Sequence, residues 1–187
     1  VRSWAGEALS QLLAQGGGDC IGGLANAIPV LVMVRLMGLP IADLDKLLDW
    51  SFSGGDILAG TATLERMVEL GASTAEMSHY LRGHFQRALQ SDPSDTVDCV
   101  LNDLAQGVTE GLIDEEEAVA IAIVLVGAAG ESTSSLVGSA IRILARDPDL
   151  QSRLRQSPEL IESYIEEVVR LETPFKGHYR AVLHQTE

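Results

Sequence analysis

An acidic residue and two hydroxyl residues interrupt the most apolar part of this chain. Glu131, Ser132 and Thr133 follow the apolar run Ala118–Val126 and the small-residue stretch Gly127–Gly130. A carboxylate buried among apolar groups costs on the order of several kcal/mol unless it is paired or neutral. We therefore expect Glu131 to be buried, and its presence indicates chemistry or a binding partner.

A second polar pair lies further along the chain, where Glu167 and Arg170 stand three residues apart. On a helix this spacing allows an ion pair, although Glu166 competes for the same guanidinium from four residues away. An exposed pair of this kind contributes little to stability, so the spacing alone assigns it no function.

The histidines do not show the spacing of a metal site. His79 and His84 are five residues apart, outside the i, i+4 spacing of one helix face, and His178 and His184 lie in a tail that is predicted to be extended. Solvated or core histidines explain this pattern better than ligands do, so no metal is predicted.

The composition indicates one globular domain without a nucleic-acid surface. Of the 187 residues, 46% are hydrophobic, and the net charge is −14. Phosphate binding needs clustered Lys and Arg, which the sequence lacks. Cys20 and Cys99 lie far apart without metal or disulfide-framework spacing, so we expect buried thiols in a reducing cytosol.

No targeting or membrane segment is predicted. The longest apolar run, Ala118–Gly130, has 13 residues, fewer than the roughly 20 that a membrane span needs. The start, Val1–Trp4, lacks both an initiator methionine and a basic region followed by an apolar core. We expect a cytoplasmic span that belongs to a longer protein.

The elements that position the polar residues are predicted to be helices, because apolar residues recur at helical spacing and strand signals are scarce. The fold class is mainly α, with one extended segment near His178–Leu183. The predicted helices are Val1–Ala14, Asp19–Met37 that is bent or broken near Pro29, Ile41–Phe52, Thr61–Leu89 with an interruption allowed at Gly71–Ser73, Thr96–Leu104, a short helix from Pro148 to Arg155, and a last one that Ser157 caps with Pro158 at its first position.

The central helix carries the clearest start signal. Asp114 can cap it, and Glu117 can reach back to form a capping box. The helix is predicted to span Glu115–Arg146, about 50 Å at 1.5 Å per residue. Gly127 and Gly130 weaken it by about 1 kcal/mol each relative to alanine, and they permit a close approach by something flat or bulky or by another helix.

One alternative makes the same segment a nucleotide site. Val119–Val126 would then be a buried strand, and Gly127–Thr133 would be a phosphate-binding loop. The loop lacks the lysine of Gly-x-x-x-x-Gly-Lys-Ser/Thr, and the Asp114 cap favours a helix, so these residues argue against a nucleotide site.

The motifs taken in order resemble the cytochrome P-450 superfamily of haem-thiolate monooxygenases, in its bacterial soluble form. The order is Glu131-Ser132-Thr133, then Arg146–Asp149, then Glu167-Val168-Val169-Arg170, then Arg180 after Pro174. Several weak signals that agree in order and spacing rarely do so by chance. The resemblance implies that residues 1–187 form a single helical domain, the middle portion of that fold.

The stretch Ala128–Thr133 resembles the family's Ala-Gly-x-Asp/Glu-Thr-Thr motif in the long distal helix. The resemblance implies that Glu131 is the acid and that Ser132, followed by Thr133, supplies the hydroxyl, which together help to deliver protons to bound dioxygen. It also implies that Ala128 and Ala129 lie against the haem. Two departures stand out, since Ala129 occupies a usual glycine position and Ser132 replaces threonine.

Two further residue sets are implied by the same resemblance. Glu167 and Arg170 match the family's Glu-x-x-Arg, a structural ion pair. Arg180, in Tyr179–Val182, resembles the arginine that binds a haem propionate, where bidentate geometry favours Arg over Lys.

The implied activity is the insertion of one oxygen atom from O2 into an apolar small molecule, with haem as cofactor and electrons from a ferredoxin or similar protein. The family's Phe-x-x-Gly-x-x-x-Cys-x-Gly haem-ligand loop does not occur in this sequence, so we expect no haem to be bound by this span alone. The alternative is a non-catalytic helical module that self-associates through uncovered apolar faces. In either case a homo-oligomer is expected for this span.

Overall fold

The computed structural model describes residues 1–55, 60–91, 97–175 and 177. Helices dominate, and no strand occurs within those ranges, which confirms the mainly α fold class. The predicted extended segment near His178–Leu183 lies outside the described residues. The elements are α1 (Arg2–Ala14), a π-helical turn (Ile21–Ala25), α2 (Ala27–Met37), a 3-10 turn (Ile41–Asp43), α3 (Leu44–Ser51), α4 (Leu64–Gln90), α5 (Val100–Thr109), α6 (Glu115–Ala129), α7 (Glu131–Arg146), α8 (Pro148–Gln156) and α9 (Leu160–Leu171).

The central helix forms as predicted and reaches 32 residues, Glu115–Arg146, if its interruption at Gly130 is included. Its start is a complete capping box. Asp114 accepts a hydrogen bond from the Glu117 amide at 2.8 Å, and the Glu117 carboxylate accepts one from the Asp114 amide at 2.9 Å. By length and composition alone this helix could cross a membrane, with a mean hydropathy of 1.6 over its most apolar window. The absence of a membrane segment therefore stays a prediction.

Several predicted boundaries are wrong, for local reasons. The break before α2 falls at Asn26 and not at Pro29, because proline is tolerated in the first turn of a helix, where its missing amide has no partner to lose. Helix α4 runs without interruption through Gly71. Helix α5, at Val100–Thr109, begins four residues and ends five residues later than predicted.

The predicted cap of the last helix is also wrong. The carbonyl of Ser157, and not its hydroxyl, accepts the Leu160 amide at 3.0 Å, and the helix starts at Leu160. Asp147 caps α8 through the Leu150 amide at 2.8 Å, with Pro148 at the first position.

The chain groups into two compact units, Val1–Ser134 and Ser135–Glu187. In the first unit α4 packs on α5 and α6, and α2 packs on α3 and α6. The core between them is closely filled by aliphatic side chains with Trp50 and Phe85; its fully buried members include Val30, Val34, Leu47, Leu81, Val119 and Val126. The prediction of one domain over residues 1–187 stays a prediction.

In the second unit, α8 and α9 pack beside the later part of α7. The Tyr164 hydroxyl donates to the Ala140 carbonyl at 2.6 Å, and Val168 is buried. An apolar cavity of about 300 Å³ remains between these helices, lined by residues such as Ile143, Leu154 and Leu171.

Candidate functional site

The interruption of the long helix lies directly before the acid and hydroxyl residues. Gly130 has φ −84° and ψ −68°, and α7 starts at Glu131. Ser132 is half-buried, whereas Glu131 and Thr133 are exposed. The expectation of a buried Glu131 carboxylate is therefore wrong, because this part of the helix is not covered on all sides.

A side chain of α3 forms a hydrogen bond with the backbone of the long helix just before the interruption. Ser51, the last residue of α3, is buried, and its hydroxyl donates to the Val126 carbonyl at 2.9 Å. In a regular helix that carbonyl accepts the amide of the residue four positions later, which is Gly130. The approach is close, since a Cβ added at Gly130 would lie 2.8 Å from Cε2 of Phe52 and 3.0 Å from Cβ of Ser51.

A second hydroxyl anchors the first turn of α7. Ser134 is buried, and its hydroxyl donates to the Asn26 side-chain carbonyl, just before α2. Together, Ser51 and Ser134 tie the helix to α2 and α3 on either side of Glu131.

One face of α6 remains apolar and uncovered. Ile121, Val124 and Leu125 are exposed by 40%, 66% and 39%, respectively, and they share a face with Ala128, one to two turns further on. Ala128 is exposed and Ala129 is half-buried. The face is thus apolar along its length and small at the end next to Glu131.

The hydroxyl of Ser132 has a weak local partner. It donates to the carbonyl of Ala128 at 3.4 Å, which is long for an O–H···O hydrogen bond. The hydroxyl can therefore turn towards another acceptor at little cost.

Glu167 and Arg170 form the ion pair that their spacing predicts. Nε and Nη2 of Arg170 donate to the two carboxylate oxygens at 2.7 and 2.6 Å, and both side chains are more than half exposed. These hydrogen bonds lower the pKa of Glu167 and raise that of Arg170. The pair belongs to the second unit, and its structural role stays a prediction.

The remaining sequence-based expectations concern the two cysteines, a metal site and Arg180. Cys99 is buried as expected, beside Gly38, but Cys20 is only half-buried. Among the described residues no three His, Cys, Asp or Glu side chains gather in a group that could hold a metal ion. Arg180 lies outside the described residues.

Sequence reasoning missed the contribution of α3 and the residues after it. Ser51, Phe52 and Gly55 all lie next to the Gly130–Glu131 junction. The only signal in the sequence was the glycine at position 130, which permits a close approach without naming the partner.

Comparison with known proteins identifies the fold to which this helix belongs. The chain is 38% identical over 168 residues to cytochrome P450 144 of Mycobacterium tuberculosis, which covers 90% of the chain and 38% of that relative. The chain belongs to the cytochrome P450 superfamily. No protein-family model matches it.

A second relative and a solved structure also match most of the chain. Mycinamicin IV hydroxylase/epoxidase of Micromonospora griseorubida is 30% identical over 171 residues, 91% of the chain and 41% of that relative. The crystal structure of CalO2 superposes with a TM-score of 0.76 at 28% identity, over 89% of the chain and 41% of CalO2. The chain thus spans about two-fifths of the length of the relatives it matches. The predicted resemblance to the cytochrome P450 superfamily is confirmed, and the alternative of a mere interaction module is not favoured.

Proposed function

We propose that this chain supplies the distal helix of a haem-dependent monooxygenase, which inserts one oxygen atom from O2 into an apolar small molecule. The observation that carries the proposal is the interruption at Gly130, followed at once by Glu131, Ser132 and Thr133 beside an uncovered apolar face. A proton-transferring acid and hydroxyl next to an apolar surface suit oxygen chemistry on an apolar substrate.

The uncovered face fits a haem. Ile121, Val124 and Leu125 offer apolar contact. The side chains of Ala128 and Ala129 are small, and a Cβ added at Gly127 would meet no atom within 4 Å. A flat macrocycle can therefore approach the helix closely. A bound haem supplies the one-electron and dioxygen chemistry, with a potential tuned by its axial ligand.

The residues that would hold the haem are divided between this chain and the rest of the enzyme. Ala128 and Ala129 would contact the ring, and Arg180 would bind a propionate. The sequence contains no Phe-x-x-Gly-x-x-x-Cys-x-Gly loop, and the thiolate is proposed to come from outside this span. This span alone is proposed to bind no haem.

The role proposed for the chain's own polar residues is proton delivery. The exposed Glu131 carboxylate can exchange protons with solvent, and the weakly held Ser132 hydroxyl is the next group along the helix that can pass a proton on. Thr133 is the neighbouring hydroxyl. The serine lacks the methyl group that would restrict its rotamer, so its direction depends on what lies beside it.

The name of one relative supports the proposed type of reaction. The mycinamicin IV enzyme is named as a hydroxylase/epoxidase, and both hydroxylation and epoxidation insert oxygen into an organic molecule. By analogy we propose that the complete enzyme works in the cytoplasm and receives electrons from a ferredoxin or similar protein.

Glu131→Gln in the complete, haem-containing enzyme tests the proposal. The amide cannot release a proton, so we expect slower turnover or more electrons lost as hydrogen peroxide, measured per NAD(P)H consumed. Glu65→Gln, the same change at an exposed carboxylate on α4, is the control and should behave like the wild type. Unchanged turnover and coupling in Glu131→Gln would remove Glu131 from the proton path.

A further inference from the structure

We propose that Ser51, at the end of α3, and Gly55, four residues later, position the acid of the distal motif. Ser51 fixes the backbone where the long helix is interrupted, and Gly55 leaves the space in which the Glu131 carboxylate lies. These are positioning residues that act through Glu131. The functional consequence rests on the proton-delivery role proposed for Glu131.

The contribution of Ser51 follows from its hydrogen bond. Its side chain is 1% exposed, and the hydroxyl reaches the Val126 carbonyl across 75 residues of sequence. A side chain that inserts into the hydrogen-bond ladder of a helix is a recognised cause of a kink. Because the donor belongs to another helix, the backbone of the long helix next to Gly130 is linked to α3.

The end of α3 packs closely against the long helix at Gly130, so a shift of one backbone would displace the other. Any side chain at Gly130 would overlap the Phe52 ring and the Ser51 Cβ. The backbone at the start of α7 therefore lies in van der Waals contact with the end of α3, and Glu131 is the next residue.

The contribution of Gly55 concerns the carboxylate itself. A Cβ added at Gly55 would lie 2.7 Å from Cδ of Glu131, so the carboxylate occupies the space that a side chain at position 55 would take. A Cβ added at the neighbouring Gly54 would meet nothing within 4 Å. Neither glycine has a positive φ, so the two positions differ in surroundings and not in backbone strain.

A displaced carboxylate matters because proton transfer needs hydrogen-bond reach. A misplacement of about 1 Å can cost on the order of 100-fold in rate. The Glu131 side chain is flexible and exposed, so it can move away from a new methyl group without unfolding the protein. Displacement of the Glu131 carboxylate should therefore change the share of electrons lost as hydrogen peroxide far more than it changes the stability of the protein.

The test compares Gly55→Ala with Gly54→Ala in the complete, haem-containing enzyme. We expect crystal structures to show a moved Glu131 carboxylate in Gly55→Ala alone, with a several-fold larger peroxide fraction and an unchanged melting temperature. In a Glu131→Gln background Gly55→Ala should add nothing, because the acid through which it acts is gone.

Ser51→Ala is tested by hydrogen exchange in the same enzyme. Loss of the interhelical hydrogen bond should speed amide exchange in residues 127–134. Ser53→Ala is the control, since its hydroxyl donates to the carbonyl of Trp50, three residues earlier, at 2.9 Å. Equal exchange in Ser51→Ala and Ser53→Ala would overturn the role of Ser51.

The outcomes separate this inference from the proposed function. If Glu131→Gln leaves coupling unchanged, the proton role fails, while the carboxylate position and the exchange rates still decide the positioning. If Glu131→Gln changes coupling but Gly55→Ala leaves the carboxylate in place, the positioning proposal is overturned.

Discussion

Gly130 allows α3 to touch the long helix, and the same contact sets the start of α7. The neighbouring aromatic ring of Phe52 and the Cβ of Ser51 leave no space for a side chain there. Gly127, one turn earlier, has open space around it. Packing against α3 therefore excludes a side chain at Gly130 but not at Gly127.

Gly130→Ala should lower the free energy of unfolding of the chain by about 1–3 kcal/mol, because the added methyl group forces a close-packed contact apart. Urea denaturation followed by circular dichroism measures the change. Gly127→Ala is the matched control and should raise stability by up to about 1 kcal/mol, since alanine has the higher helix propensity and meets nothing. Effects of equal sign and size would contradict the packing explanation.

At the scale of elements, the long helix depends on its first turn. Asp114 and Glu117 satisfy two amides that would otherwise lack partners, and Glu115 and Glu116 add negative charge where the helix dipole favours it. The Arg82 guanidinium on α4 donates to both Glu116 oxygens at 2.9 and 2.8 Å, which ties the same turn to its neighbour.

Asp114→Ala should cost about 1 kcal/mol of stability, as the loss of a side-chain cap does in other helices. Thermal or urea unfolding of the chain measures it, and hydrogen exchange should rise first at residues 115–118. Asp114→Asn keeps the acceptor oxygen and is expected to lose only a fraction of this. If asparagine costs as much as alanine, then charge and not the hydrogen bond is the main contribution.

At the scale of the whole molecule, the notable feature is the amount of apolar surface left uncovered. Val124 is exposed by 66% on α6, beside Ile121 and Leu125. Covering such surface stabilises by about 25 cal/mol for each Å² removed from water. A second copy of the chain is one partner that could cover it, through a two-fold axis with like helices facing.

We expect the isolated 187-residue chain to self-associate, with a mass above that of the 20.0 kDa monomer in light scattering. Val124→Gln should shift the equilibrium towards the monomer, because it places a polar group in the centre of the face. Val68→Gln, at a valine exposed by 70% on α4, changes the same chemistry elsewhere and should have no effect. A wild-type chain that stays strictly monomeric contradicts the prediction.

The sequence predicted the features that depend on neighbours a few residues apart. The capping box at Asp114, the long helix to Arg146 and the Glu167–Arg170 pair each need groups within four residues or a repeated helical period. Such contacts form whenever the helix forms, so the spacing of residue types is enough to predict them. The order of the motifs was likewise enough to identify the superfamily.

Only the tertiary structure decided what surrounds the acid. The hydrogen bond from Ser51 to Val126 joins groups 75 residues apart, and Gly55 meets Glu131 from a similar distance along the chain. No periodicity marks such a pair, because its geometry is fixed by how α3 packs against α6 and not by local backbone preference. For the same reason the exposure of Glu131 could not be read from the apolar run before it: burial depends on which faces of a helix other elements cover.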